Sequence, residues 1–155
     1  PRERVVPVFD QICERGHFGQ KTGRGFYIHK DGKRLVDPEV TALVEAASAA
    51  RGIERRPVPA EEIQRRVHAA MVNEGAKVLA EGIAARPSDI DLVLVHGYGY
   101  PAWRGGPMME ADVIGIPEML KRVEALHAAS GFGWEPAPLL REMAAAGKTF
   151  ADLNR

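Results

Sequence analysis

The stretch Ala60-Glu-Glu-Ile-Gln-Arg-Arg-Val-His-Ala-Ala-Met-Val-Asn-Glu-Gly-Ala-Lys-Val-Leu-Ala-Glu-Gly82 decides the fold. At about 100° per residue, Ile63, Val67, Ala70, Met71 and Val78 fall on one side of a helix. Ala69, Val72, Ala76, Leu79 and Ile83 fall on roughly the opposite side. A helix that is apolar on two sides is expected to pack on both. The segment therefore reads as the central helix of a mostly all-α fold.

Working upstream, Glu54, Arg55 and Arg56 followed by Pro57 and Pro59 form a linker composition, which places the main boundary there and divides the chain into 1–57 and 58–155. Asp37 before Pro38 is a helix start, with an Asp N-cap and Pro at the first helical position; the Ala-rich run with Val40, Leu43, Val44 and Ala47 on its core side continues to Gly52. Between Gly19 and Gly32 we expect a turn, a short extended run at Phe26-Tyr-Ile28 and a second turn at Asp31-Gly32. Val5, Val8, Phe9 and Ile12 recur at helical spacing before Gly16, which reads as the end of a helix.

Downstream, Pro87-Ser-Asp-Ile-Asp91 resembles a helix N-terminus with acidic residues at the positive end of the dipole. Leu92-Val-Leu-Val95 is compatible with either a helix or a strand. The Gly-, Pro- and aromatic-rich run Gly97–Pro107 is expected to be an ordered loop. Helices are expected near 107–113, 117–129 and 138–146, each opened by a proline.

Composition narrows the function classes. Twenty-one Lys plus Arg balance 21 Asp plus Glu in 155 residues, so no global positive field favours nucleic acid. Apolar runs fall well short of the ~20 residues of a membrane helix. A lone Cys13 forms no internal disulfide and points to a reducing, cytoplasmic compartment. The Asp152–Arg155 ending lacks the small-basic-Leu peroxisomal signal, and the initial Pro1 suggests a piece of a longer polypeptide.

Several motifs have ordinary readings. Gly147-Lys-Thr149 lacks the earlier glycine of a phosphate loop, because Glu142 stands there. The five scattered histidines offer no metal-ligand spacing, so no metal is expected. Glu74 lies ~20° from Ile63 on the helical wheel, within an apolar stripe. There it is either a general base tuned by burial or, as we take it, a structural carboxylate held by backbone N–H groups or an Arg. Trp103 and Arg104 suit stacking on an adenine and pairing with phosphate, or a core plug beside an arginine that pins loop carbonyls or Asp112.

These residues together resemble the C-terminal region of L-3-hydroxyacyl-CoA dehydrogenases, as found in bifunctional enoyl-CoA hydratase/3-hydroxyacyl-CoA dehydrogenases of fatty-acid β-oxidation. Gly19-Gln-Lys-Thr-Gly-Arg-Gly-Phe-Tyr27 is similar to the segment closing that family's first helical repeat. Asn73-Glu74, Glu81-Gly-Ile83, Asp89-Ile-Asp91, Gly97-Tyr-Gly-Tyr-Pro101, Arg104-Gly-Gly-Pro107 and Asp112-Val-Ile-Gly115 resemble successive landmarks of the second. Leu140-Arg-Glu-Met-Ala144 and Gly147-Lys-Thr-Phe150 resemble its ending.

The resemblance implies that 1–57 is the end of a first repeat plus linker and that 58–155 is a second repeat. It implies a parent that oxidises L-3-hydroxyacyl-CoA with NAD, using a His/Glu pair in a Rossmann domain that this chain lacks. No catalytic residue is therefore expected here, and no cofactor in this fragment. Its partners would be acyl-CoA, through the parent, and the parent's own Rossmann and hydratase domains. Where the first repeat carries a helpful Asn, this chain reads Gln64-Arg65. The second repeat is expected to brace the first. The alternatives are a free-standing interaction module, or an acyl-CoA-binding unit gripping phosphates through Lys21, Arg24 or Arg104. Of these, Arg24 and Arg104 are the candidate substrate contacts, and Glu74, Trp103 and Asp112 the candidate structural residues. Homo-oligomers would follow from an uncovered apolar surface.

Overall fold

The computed structural model describes residues 6–131 and 133–154. Val5 of the first apolar stripe and Arg155 of the chain ending lie outside them. The chain forms two compact units, Pro1–Pro57 and Val58–Arg155.

In the first unit, α1 (Pro7–Glu14) and α2 (Pro38–Ala50) enclose a small core of Val8, Ile12 and Val40, flanked by Leu43, Val44 and Ala47. Asp37 caps α2 as its type and position require, accepting the N–H of Glu39 at 3.0 Å. Between the helices, β1 (Tyr27–Lys30) and β2 (Lys33–Val36) form an antiparallel hairpin pairing Tyr27 with Val36 and Lys30 with Lys33. Its two-residue loop has φ 50° at Asp31 and 71° at Gly32, the backbone that matches the twist of the flanking strands. The extended run at 26–28 is thus one strand of a hairpin. The second strand carries no inward-facing alternation, being exposed along its length.

The second unit is helical: α3 (Ala60–Ala80), α4 (Pro87–Tyr98), α5 (Pro107–Ile114), α6 (Ile116–Ser130) and α7 (Pro138–Ala146). The ambiguous run 92–95 lies within α4, and single 3₁₀ turns at Ala102–Arg104 and Ala151–Leu153 punctuate the remainder. The core joins Ala69, Val72 and Ala76 of α3 to Met108 of α5, Met119 and Val123 of α6, Leu140 and Met143 of α7, and Phe150.

Within this unit α3 packs on one side only, which corrects the two-sided expectation. Val72 and Ala76 are fully buried, whereas Ile63 and Val67 of the other stripe are 50% and 48% exposed. Ile83, assigned to the buried stripe, lies beyond the helix and is exposed.

Candidate functional site

Buried polar side chains join the helices of the second unit. Asp91, on the inner side of α4, accepts the N–H groups of Met108 at 2.7 Å and Met109 at 3.1 Å. These donors open α5, whose own N-cap position is Gly106 and offers no side chain. A distant carboxylate thus does the work of a cap. Gly106 sits at φ +117°, and a Cβ there would lie 2.4 Å from Asp91 side-chain atoms. Glycine at 106 is therefore required by both backbone and space. Burial pushes the Asp91 carboxyl above the usual range; the two N–H donors oppose that shift, and the Asp112 charge adds to it.

His68, buried on α3, bonds through Nε2 to the Pro107 carbonyl at 2.9 Å. A carbonyl only accepts, so Nε2 carries the proton. Asn73 makes a two-way clamp: its Nδ2 donates to the Glu135 carbonyl at 3.0 Å and its Oδ1 accepts the Ala137 N–H at 2.8 Å. These bonds hold the chain entering α7. Tyr100 donates to Glu110, which also pairs with Arg104. Burial first, and then the Glu110 carboxylate, raise the Tyr100 phenol above its ordinary value. Among the described residues, no buried side-chain N or O atom lacks a hydrogen-bond partner.

Beside this framework an open groove of about 660 Å³ runs along the exposed side of α3. Its walls include Ile63, Val67 and Met71 of α3 and Leu94 and Tyr98 of α4, with Trp103 at the rim. Arg65, Arg104, Arg122, Glu61, Glu110 and His68 supply its polar margin.

The residues singled out in the sequence take the following places. Arg104 borders the groove, but its guanidinium pairs with Glu110 and lies 4.6 Å from the centre of the Trp103 ring. The acid it meets is thus Glu110, not Asp112. Trp103 is 81% exposed, which corrects the core-plug expectation: the 3₁₀ turn at 102–104 turns the indole outward. Asp112 is structural in another way, accepting the N–H groups of Phe150 at 2.7 Å and Ala151 at 2.9 Å.

Glu74 corrects a second expectation. Its carboxylate is 67% exposed and 3.3 Å from Lys77, because the stripe it shares with Ile63 faces away from this unit's core. Arg24 belongs to the first unit, where it binds Asp37 through two bonds at 2.6 and 2.9 Å and Glu39 at 2.8 Å. Its hydrogen bond to the guanidinium holds Asp37 down at about 2, against the penalty of burial. The sequence reading named Asn73, Asp91 and Tyr100 only within motifs of the family resemblance, and Asp91 also within an acidic helix start, and gave none of them a role in joining helices. Beyond those motifs, the signal was their polarity within segments that otherwise pack.

A dinucleotide site needs a glycine-rich turn from a parallel strand into a helix N-terminus. The sheet described here is a two-stranded antiparallel hairpin, so these residues do not fit NAD. Among the described residues no group of three His, Cys, Asp or Glu side chains is placed to hold a metal. No described helix is long and apolar enough to cross a membrane.

These features define a helical domain whose buried polar groups serve packing. Residues 63–151 match the family model of the 3-hydroxyacyl-CoA dehydrogenase C-terminal domain, and the chain belongs to that family. It is 40% identical over 156 residues to a peroxisomal bifunctional enzyme of Danio rerio, covering 95% of this chain and 22% of that protein. The human peroxisomal bifunctional enzyme is 36% identical, over 93% of this chain and 21% of its own length. The fatty acid oxidation complex subunit alpha of Shewanella amazonensis is 37% identical, over 96% and 21%. The chain thus spans about a fifth of these relatives. A solved (S)-3-hydroxybutyryl-CoA dehydrogenase of Ralstonia eutropha aligns at 34% identity with a TM-score of 0.49, over 73% of this chain and 40% of that one.

Proposed function

We propose that the chain is the C-terminal part of a longer, NAD-dependent L-3-hydroxyacyl-CoA dehydrogenase of the multifunctional β-oxidation type, with 1–57 ending a first helical repeat and 58–155 forming a second. In this reading the second unit braces the assembly in which acyl-CoA and NAD are bound by other domains, and the fragment alone does not turn over substrate. One observation carries it: the buried polar residues Asp91, Asn73 and His68 are spent on holding helices together, while the groove walls are apolar and at their margin Arg104 and Arg122 are paired with Glu110 and Glu118. A fused brace replaces bimolecular association with an intramolecular one at high effective concentration.

The phosphate-gripping role first considered for Arg24 and Arg104 is set against the carboxylates each already holds. The exposed free thiol of Cys13 suits a reducing, cytoplasmic setting. The zebrafish and human relatives carry peroxisomal names, and cell fractionation of the parent decides between the two compartments.

The test is removal of residues 58–155 from the full parent enzyme. We expect a lower melting temperature and a loss of dehydrogenase turnover, with hydratase activity retained. Unchanged stability and turnover would remove the bracing role.

A further inference from the structure

The hairpin of the first unit has one closed edge and one open edge. On the β1 side, the His29 N–H donates to the Gly23 carbonyl at 2.8 Å, and the Tyr27 carbonyl accepts the Gly25 N–H at 3.0 Å. Tyr27 and His29 therefore turn their backbone polar groups away from β2. In an antiparallel ladder the residues opposite such positions turn outward on the other side. Those residues are Val36 and Arg34. Their outward N–H and C=O groups have no partner among the described residues, and β2 is exposed along its whole length.

Positive charge gathers on the same edge. Lys30 stands directly opposite Lys33, and like charges so placed oppose the pairing of their own strands. Among the described residues Lys30, Lys33 and Arg34 make no ion pair; Arg34 lies 5.8 Å from the centre of the Tyr27 ring. The one acid of the hairpin, Asp31, is a turn residue, and the next acids along the chain, Asp37 and Glu39, are both held by Arg24. The charge is thus unbalanced locally in a chain whose total is zero. Cations on an open edge deter a neutral strand from pairing there. By complementarity they favour an acidic one.

We propose that β2 is a docking edge for an extended acidic segment of another protein, which adds to the hairpin as a third, antiparallel strand. The edge has an order. Running from its N-terminus, the incoming segment meets Val36, Leu35, Arg34 and Lys33, so it carries two apolar residues followed by two acids. Val36 and Leu35 are 72% and 47% exposed and free to be covered. An anionic lipid surface would meet the cations and leave the backbone edge and the apolar pair unused. Because β2 belongs to the first unit, its docking stands apart from the bracing role of the second.

The probe is a fluorescein-labelled peptide of about eight residues, the scale of an ordinary strand, with Val-Ile-Glu-Glu at its centre. Three versions control it: one with Lys for both Glu, one N-methylated at the first Glu, whose N–H faces Arg34, and one N-methylated at the second, whose N–H faces away. Binding to the 155-residue chain is followed by fluorescence anisotropy. We expect saturable binding of the acidic peptide, and at least about tenfold weakening by the Lys exchange or by methylation at the first Glu. Methylation at the second Glu should change little. Lys33→Glu combined with Arg34→Glu should turn the preference to the Lys peptide, with far-UV dichroism unchanged because both side chains are exposed.

Failure of the acidic peptide to saturate would overturn the proposal and leave the cations as a guard on the edge. Equal tolerance of the two methylated peptides would do so by reducing the contact to charge alone. Cosedimentation with phosphatidylserine vesicles in preference to the peptide, lost in the double variant, would make a lipid surface the occupant. A dimer abolished by Val36→Pro, which removes one outward N–H at an edge position that tolerates proline, would make it a second copy.

Discussion

Asp91 holds the N–H of Met108 at 2.7 Å across 17 residues and so fixes where α5 begins. Removing the carboxylate leaves two donors at the start of a half-buried helix without a partner. Asp91→Ala is expected to cost about 1–3 kcal/mol, read as a lower urea midpoint with an unchanged slope, and Asp91→Asn to cost less because one acceptor remains. Gly106→Ala is expected to be destabilising on its own, since the added Cβ meets the Asp91 side chain. Part of that clash vanishes once Asp91 is shortened, so the double variant should be less destabilised than the sum of the two. Strict additivity would show that Gly106 is needed for its positive φ alone.

Asn73 offers a test of hydrogen-bond direction. Asn73→Ala loses both the bond to the Glu135 carbonyl and the one from the Ala137 N–H, and should cost about 1–3 kcal/mol. Asn73→Asp keeps the acceptor but sets a carboxylate against a carbonyl at neutral pH. That variant should gain stability relative to the unaltered chain as acid protonates the new side chain and restores a donor. Thermal midpoints at neutral and mildly acidic pH check this; parallel pH profiles would mean that the clamp is not worked through both atoms.

The two buried carboxylates respond to acid with opposite signs. Asp37 is held by Arg24 at about 2, below its ordinary 3.8, so the folded state favours its ionised form. Its contribution is complete above about pH 4 and is lost as pH falls towards 2. Asp91, raised chiefly by burial, favours the protonated form when folded, so its effect runs the other way: stability is lost as pH rises through its folded value. Carbon-detected NMR titration of the two carboxyl groups should show Asp37 titrating below the ordinary value and Asp91 above it. Loss of the Arg24 bond in Arg24→Gln should move Asp37 up and leave Asp91 unmoved.

Much of this was legible in the chain because the fold depends on local signals. Asp37-Pro38, the prolines opening α4 to α7 and Gly147 closing α7 state where helices begin and end. The hairpin was half legible: Asp31-Gly32 announces the turn, but Lys33-Arg34-Leu35-Val36 shows no alternation, because both its faces are exposed. The candidate site was much less legible. Periodicity placed Glu74 correctly on the Ile63 side of α3 and could not say which of two apolar sides meets the core. That choice belongs to tertiary packing, and it decided the exposure of both Glu74 and the groove. Trp103 and Arg104 illustrate the same limit, since their composition suits a buried plug or an outward rim, and only the turn at 102–104 separates the two.

Arg24 and Arg104 give the last prediction. Each guanidinium is occupied, Arg24 by Asp37 and Glu39 and Arg104 by Glu110, and a CoA phosphate would have to displace a carboxylate already in place. An anion arriving from water exchanges its own hydration for contacts that the arginine already has, so little net attraction remains. Calorimetric titration of acetoacetyl-CoA into the folded chain should therefore give no saturable heat at low or moderate salt, with or without NAD. Glu110→Gln releases Arg104 while leaving a group that still accepts from Tyr100, and is the variant in which weak, salt-sensitive binding would first become measurable. Saturable binding by the unaltered chain, abolished by Arg104→Ala and weakened by salt, would instead assign this unit a direct share of the substrate site.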